Sequence, residues 1–352
     1  MTSDYNALFP TRNSITATGN IRTTPEDFQV TELNNCQLSG DGEHLWLYIQ
    51  KTNNNSIWVA KQLSNICQVP QKQVAFAGQK DRHAITKQWF SVQLAKVTEA
   101  DKLQSALGKD ICILKAGFHR RKIKIGQLDA NAFKIVIRDI QGDKKLIEEN
   151  IKNIIKHGVP NYFGSQRFGH DMGNITKCHN WFAGNYKVKS RNLKSLLIST
   201  ARSHIFNLIL AKRLEQSIWD KSISGDILQL NKSHSWFPAK DANDEEIKQR
   251  LKDFDIHVTA AMWGEDELQS QDECAKLESV IAKEFPVYHR GFEKFRLKHD
   301  RRSIRICPTN LTHTWQSKST LQLSFELLPG AYATGIMREI LAITDIKKIT
   351  TE

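Results

Sequence analysis

Apolar and polar side chains alternate with a period of two along much of the chain between about residues 20 and 140. Leu45, Leu47 and Ile49 alternate with Trp46 and Tyr48; Val74 and Phe76 lead into Gly78; Phe133, Ile135 and Ile137 alternate with Lys134, Val136 and Arg138. A strand sends successive side chains to opposite faces, so this texture predicts a sheet with one face buried. Alternation returns at Leu321–Leu327, where Leu321, Leu323, Phe325 and Leu327 occupy every second position, and Pro329-Gly330 then turns the chain toward a short helix near Gly335.

Helical spacing interrupts the strands. Ile57, Ala60, Leu63 and Cys67 fall on one stripe behind Ser56, a residue suited to cap a helix. Leu146, Ile147, Ile151, Ile154 and Ile155 mark a second helix over 144–157, ended by Gly158 and barred from continuing by Pro160. From about 170 to 300 the chain reads as helices and polar loops, with a long amphipathic run through Leu193, Leu196, Leu197, Phe206, Leu208 and Leu210. The economical arrangement is a strand-rich domain made from both ends of the chain and a helical domain inserted between about 160 and 305, since insertion at a surface loop disturbs little.

Of the 352 residues, 40% are hydrophobic and 25% charged, a balance that suits a folded domain rather than a disordered chain. Fifty Lys and Arg against 38 Asp and Glu leave a formal charge of +12, which points to a polyanionic partner, nucleic acid first. A generally basic, soluble surface accounts for the same number. The six cysteines are scattered without a C-x-x-C pair, and Cys178-His179 has no second pair at zinc-finger spacing, so the cysteines read as structural in a reducing compartment. The first ten residues have no basic-then-apolar leader, and no apolar run approaches the roughly 18 residues of a membrane span. A cytoplasmic protein without a membrane partner is the expectation.

The polar cluster Gly78-Gln79-Lys80-Asp81-Arg82 lies between two strand signals. Cationic neighbours favour the ionised form of a carboxylate, which is the form that acts as a nucleophile. An Asp also closes turns by bonding its own backbone, and the pattern alone leaves both readings of Asp81 open. From the pattern alone Phe28 and Phe133 read as core residues, and Asn131 reads equally as a turn residue.

Six segments in order, spread through nearly the whole chain, resemble the TruD family of tRNA pseudouridine synthases. They are Pro25–Glu32, Gly42-Glu43-His44, the Ala77–Gln88 loop, Gly126-Gln127-Leu128 with Asn131-Ala132-Phe133, Gly158–Gly169, and Leu328–Thr334. The resemblance implies an α+β fold: a pseudouridine synthase catalytic domain with a mixed, mainly antiparallel sheet over 1–158 and 305–352, interrupted by an inserted α/β TRUD domain at 159–304. It implies isomerisation of uridine 13 of tRNA, with no cofactor, no metal and no obligate protein partner. Asp81 takes the catalytic position; Phe28, Phe133 and Tyr332 take positions that stack the extruded uracil, and Asn131 one that reads its polar edge.

Arg22, Lys80 and Arg167 are candidates to support the site or the RNA. Arg120, Arg121 and Lys122, within His119–Lys124, are candidates for phosphate contact; a solvated charge run is the competing reading. Arg22 stands where the family carries Lys, exchanging a point charge for a planar fork. Asp129-Ala130 precedes Asn131 where the family usually has Gly, and Tyr332 stands where Phe is also seen. A non-catalytic RNA-binding protein that kept the fold is the main alternative, and an intact Asp81 argues against it because phosphate binding gains nothing from a carboxylate. A methyltransferase would need a nucleotide-binding G-x-G-x-x-G loop, which the sequence lacks.

Overall fold

The computed structural model describes residues 4–94 and 100–349. In chain order come α1 (Tyr5–Leu8), β1 (Thr18–Ile21), β2 (Phe28–Leu33), β3 (His44–Thr52), α2 (Ser56–Ile66), β4 (Val74–Phe76), β5 (Ile85–Gln93), α3 (Ala100–Leu107), β6 (Ile111–His119), β7 (Ala130–Gln141) and α4 (Lys144–His157). Next are β8 (Val159–Pro160), α5 (Gly173–Phe182), α6 (Arg191–Glu215), β9 (Ile227–Leu230), β10 (Trp236–Pro238), α7 (Glu245–Lys252), β11 (Ile256–Met262), α8 (Asp272–Lys283), α9 (Pro286–Lys294), β12 (Asp300–Ser303) and β13 (Arg305–Ile306). The chain closes with β14 (Thr309–Trp315), β15 (Leu321–Leu327), α10 (Ala333–Arg338), β16 (Ala342–Asp345) and α11 (Ile346–Ile349).

The chain divides into two compact units. The strand-rich unit comprises Thr16–Ile147, Pro308–Ala333 and Leu341–Glu352. The helical unit comprises Met1–Ile15, Glu148–Cys307 and Thr334–Ile340. The fold is α+β.

In the strand-rich unit one mixed sheet runs β14-β15-β7-β2-β5-β3-β6, with β1 and β16 joined at β7 and β4 at β5. The β1–β16 and β2–β5 pairs are parallel; the others are antiparallel. β15 is buried at every second residue, as its alternation predicts. β3 departs from the one-sided expectation, because Leu45, Trp46, Leu47 and Ile49 are all buried. Leu45, Leu47 and Ile49 pack with Val59, Ala60 and Leu63 of α2, while Trp46 packs with Ala77, Trp89 and Ile123. Both faces of this strand are therefore covered, which a strand interior to a large sheet permits.

The start of α2 also differs from the sequence reading. Asn55, rather than Ser56, caps the helix by accepting from the Trp58 N–H at 2.7 Å. Ser56 is freed to donate from Oγ to Gln88, and Ile57 faces solvent while Val59 takes the buried stripe. α4 runs over 144–157 as predicted, with Ile147, Ile151 and Ile154 buried.

The helical unit holds a four-stranded sheet, β10-β9-β11-β12, and the small β13-β8 pair. Its core gathers Phe9, Tyr162, Phe163, Phe168, Phe206 and Tyr288 around α6. The aromatic segment 161–169 is thus packed core, and Phe9 ties the N-terminal residues to it. No helix among the described residues is long and apolar enough to cross a membrane.

Candidate active site

Pairing in the strand-rich unit sets three rows of side chains on one sheet face. β2 and β15 flank β7, so Glu32 and Leu327 stand opposite Asn131, Val30 and Phe325 opposite Phe133, and Phe28 and Leu323 opposite Ile135. Directly opposed residues share a face, so Asn131, Phe133, Phe28 and Glu32 line the same one. The entry to β2 is fixed by Asp27, whose carboxylate accepts from Thr24 N–H and from the Arg138 guanidinium in a bidentate pair.

Asp81 sits in the loop between β4 and β5 with its side chain 59% exposed. Buried groups hold this loop from behind. Gln88 Nε2 donates to the Gly78 carbonyl at 3.1 Å, Ser56 Oγ donates to Gln88 Oε1 at 2.6 Å, and Lys80 N–H donates to Ser56 Oγ at 2.9 Å. Lys51, fully buried, donates from Nζ to the carbonyls of Asp81, at 3.1 Å, and Asn54. A buried ammonium must find such acceptors, and these turn its desolvation cost into an anchor for the loop backbone. Burial pushes Lys51 down to about 8, against the opposing pull of the Asp81 charge.

Arg22 approaches from the front. Its Nη2 donates to Asp81 Oδ2 at 2.7 Å and its Nη1 to Asp345 Oδ2 at 2.5 Å. The guanidinium also lies 4.0 Å over the Phe28 ring. This residue adopts a left-handed backbone, φ 57°, an uncommon conformation for a non-glycine residue that persists where surrounding contacts enforce it. The fork that distinguishes Arg from Lys is used here, because one side chain bridges two carboxylates through separate nitrogens.

Lys80 turns inward, away from the exposed Asp81 side chain, and reaches Glu32 at 3.6 Å, both side chains being nearly buried. Burial lowers the Lys80 ammonium and raises the Glu32 carboxyl, and the attraction between them opposes both shifts. Phe28 is buried between Arg22 and the edge of Phe133, 6.4 Å away. Phe133 is partly exposed and stacks on Phe325 at 5.4 Å with planes 21° apart. Asn131 Oδ1 is buried and has no hydrogen-bond partner among the described residues. Tyr332, past the Gly330 turn, is 52% exposed.

The remaining expected residues lie elsewhere. Arg167 belongs to the helical unit, where Nη1 donates to Ser199 Oγ at 2.9 Å. Arg120 is exposed and forms a bidentate pair with Asp41, Lys122 donates to the Lys72 carbonyl, and the Arg121 carbonyl accepts from Trp46. Sequence reasoning overlooked Lys51, Glu32, Phe325 and Asp345. A signal existed for two of them: Lys51 continues the inward series Leu45, Leu47, Ile49, and Glu32 continues Phe28, Val30. A charged residue at an inward position of a strand asks for a buried partner.

The sequence profile of tRNA pseudouridine synthase D (TruD) matches residues 11–178 and 172–340. The chain belongs to this family. A tRNA pseudouridine synthase D of Hydrogenovibrio crunogenus is 40% identical over 323 residues, covering 92% of each chain. Another, from Proteus mirabilis, is 35% identical over 344 residues and 98% of each. A crystal structure described under the same name, from Methanosarcina mazei, superposes with a TM-score of 0.74 at 23% identity and covers 94% of this chain and 95% of its own. That likeness carries the fold.

Proposed function

We propose that this protein is a tRNA pseudouridine synthase that isomerises uridine 13, with Asp81 as its nucleophile. The observation that carries the reading is an exposed carboxylate held at its backbone by buried Lys51 and at its side chain by Arg22. Such pre-positioning spares the reaction the reorganisation that a free carboxylate would need.

The reaction breaks the N1–C1′ bond of uridine, leaving the electron pair on N1, turns the uracil, and forms a C5–C1′ bond; the proton on C5 leaves to solvent and N1 takes one up, so the product is an isomer of the substrate. Asp81 forms a transient covalent adduct and is released unchanged, so no cofactor is consumed. The base must leave the RNA stack first, at a cost of a few kcal/mol. Stacking on aromatic rings returns about 1–3 kcal/mol per base. Phe133, backed by Phe325, and the exposed Tyr332 supply rings, whereas Phe28 acts by holding Arg22. The unpartnered Asn131 acceptor suits a donor such as the uracil N3–H.

The test supplies unmodified tRNA carrying tritium at uridine C5. Release of label to water, lost when position 13 is not uridine, is the expected result. No release, or release indifferent to position 13, overturns the activity or the site assignment respectively.

A further inference from the structure

The formal charge of +12 is unevenly placed. Residues 173–214 hold eight Lys or Arg and no Asp or Glu, whereas 215–300 hold 18 Asp or Glu against 12 Lys or Arg. Three cations of the first stretch are occupied: Arg213 in a buried pair with Asp226, Lys212 with Glu215, and Arg202 on two carbonyls. Four of the others crowd the segment that opens α6.

Lys187, Lys189 and Arg191 are exposed and Lys194 half-buried, and none forms an ion pair among the described residues. Val188 is buried between the first two and pins the segment to the core. Arg191 and Lys194, three apart on α6, lie on one helical face. They also stand at the positive end of the helix dipole, where no acidic residue occupies the first turn. Cations there oppose the dipole, so the arrangement costs stability unless an anion arrives. Tyr186 stands beside them, 42% exposed.

The basic run at 119–124 offers less free charge, because Arg120 is paired with Asp41. We propose that Lys187, Lys189, Arg191 and Lys194 form a phosphate-binding surface for the backbone of the tRNA, built from residues of the helical unit alone. The inference rests on tRNA being the substrate. Phosphate neutralisation is sequence-independent and releases counterions, so this surface sets affinity and leaves the chemical step untouched.

The experiment compares the intact protein with the triple variant Lys187→Ala, Lys189→Ala, Arg191→Ala, using tritium release to obtain KM and kcat for tRNA between about 50 and 200 mM salt. A control triple, Lys240→Ala, Lys276→Ala, Lys283→Ala, removes the same charge from the acidic stretch. The expected result is a KM raised roughly tenfold or more, a log–log salt slope reduced by about 0.9 for each phosphate that is no longer neutralised, and unchanged kcat. The control should move neither quantity. An unmoved KM and slope, an equal effect in the control, or an effect confined to kcat overturns the surface. Absence of release by the unaltered protein instead overturns the proposed activity.

Discussion

Arg22 donates from Nη2 to Asp81 Oδ2 at 2.7 Å, and the same guanidinium holds Asp345 through Nη1. The bond to Asp81 is open to solvent and that to Asp345 is nearly buried. Arg22→Met therefore leaves a buried carboxylate without its partner, and removing one member of a buried pair costs about 3–5 kcal/mol. Arg22→Lys keeps one charge but cannot span both carboxylates. It should retain turnover within about tenfold while losing roughly 1.5–3 kcal/mol of stability, the worth of one charged hydrogen bond. Chemical denaturation beside tritium release separates the two effects, and equal stability of Arg22→Lys and the parent would remove the bridge from the account.

Asn131 presents the opposite case, a buried acceptor without a partner. Such a group costs the fold about 1–3 kcal/mol, and substrate recovers a similar amount on binding it. Asn131→Ala should leave stability unchanged or slightly higher while kcat/KM falls roughly 10- to 100-fold. A variant that unfolds more readily with normal turnover would show Asn131 to be structural.

Lys51 links the loop to pH. Its folded value is lowered from 10.5 to about 8, so between those pH values the unfolded chain binds more protons here than the folded one. Stability contributed through this group therefore rises with pH across that window. Lys51→Met should lack the rise, and denaturation of both proteins at several pH values measures the difference. Parallel pH profiles would contradict the buried ammonium. The same variant leaves the Asp81 carbonyl without its donor, and the resulting misplacement should lower kcat roughly 10- to 100-fold.

Local periodicity made much of this fold legible. β15 and α4 follow from alternation and helical spacing because each buries one face or stripe. β3 reads less well, since helices and a second aromatic cluster cover both of its faces and erase the contrast between them. Asp81 stands out only through its ordered neighbours in the family resemblance, because a charged turn and a catalytic loop look alike in pattern. Asp345 had no signal, because its pairing with Arg22 depends on the parallel β1–β16 contact between the two ends of the chain. Arg120 shows the converse, a basic run whose first arginine is taken by Asp41 in a loop far away in sequence.

Tritium release from C5-labelled tRNA with Asp81→Ala decides whether Asp81 is the nucleophile. The side chain is exposed and in a loop, so the variant should fold and bind tRNA with the parent's affinity. Release should fall by roughly four orders of magnitude or more, the scale on which loss of a nucleophile is felt. Release at the parent's rate from a folded, tRNA-binding Asp81→Ala protein would contradict the assignment.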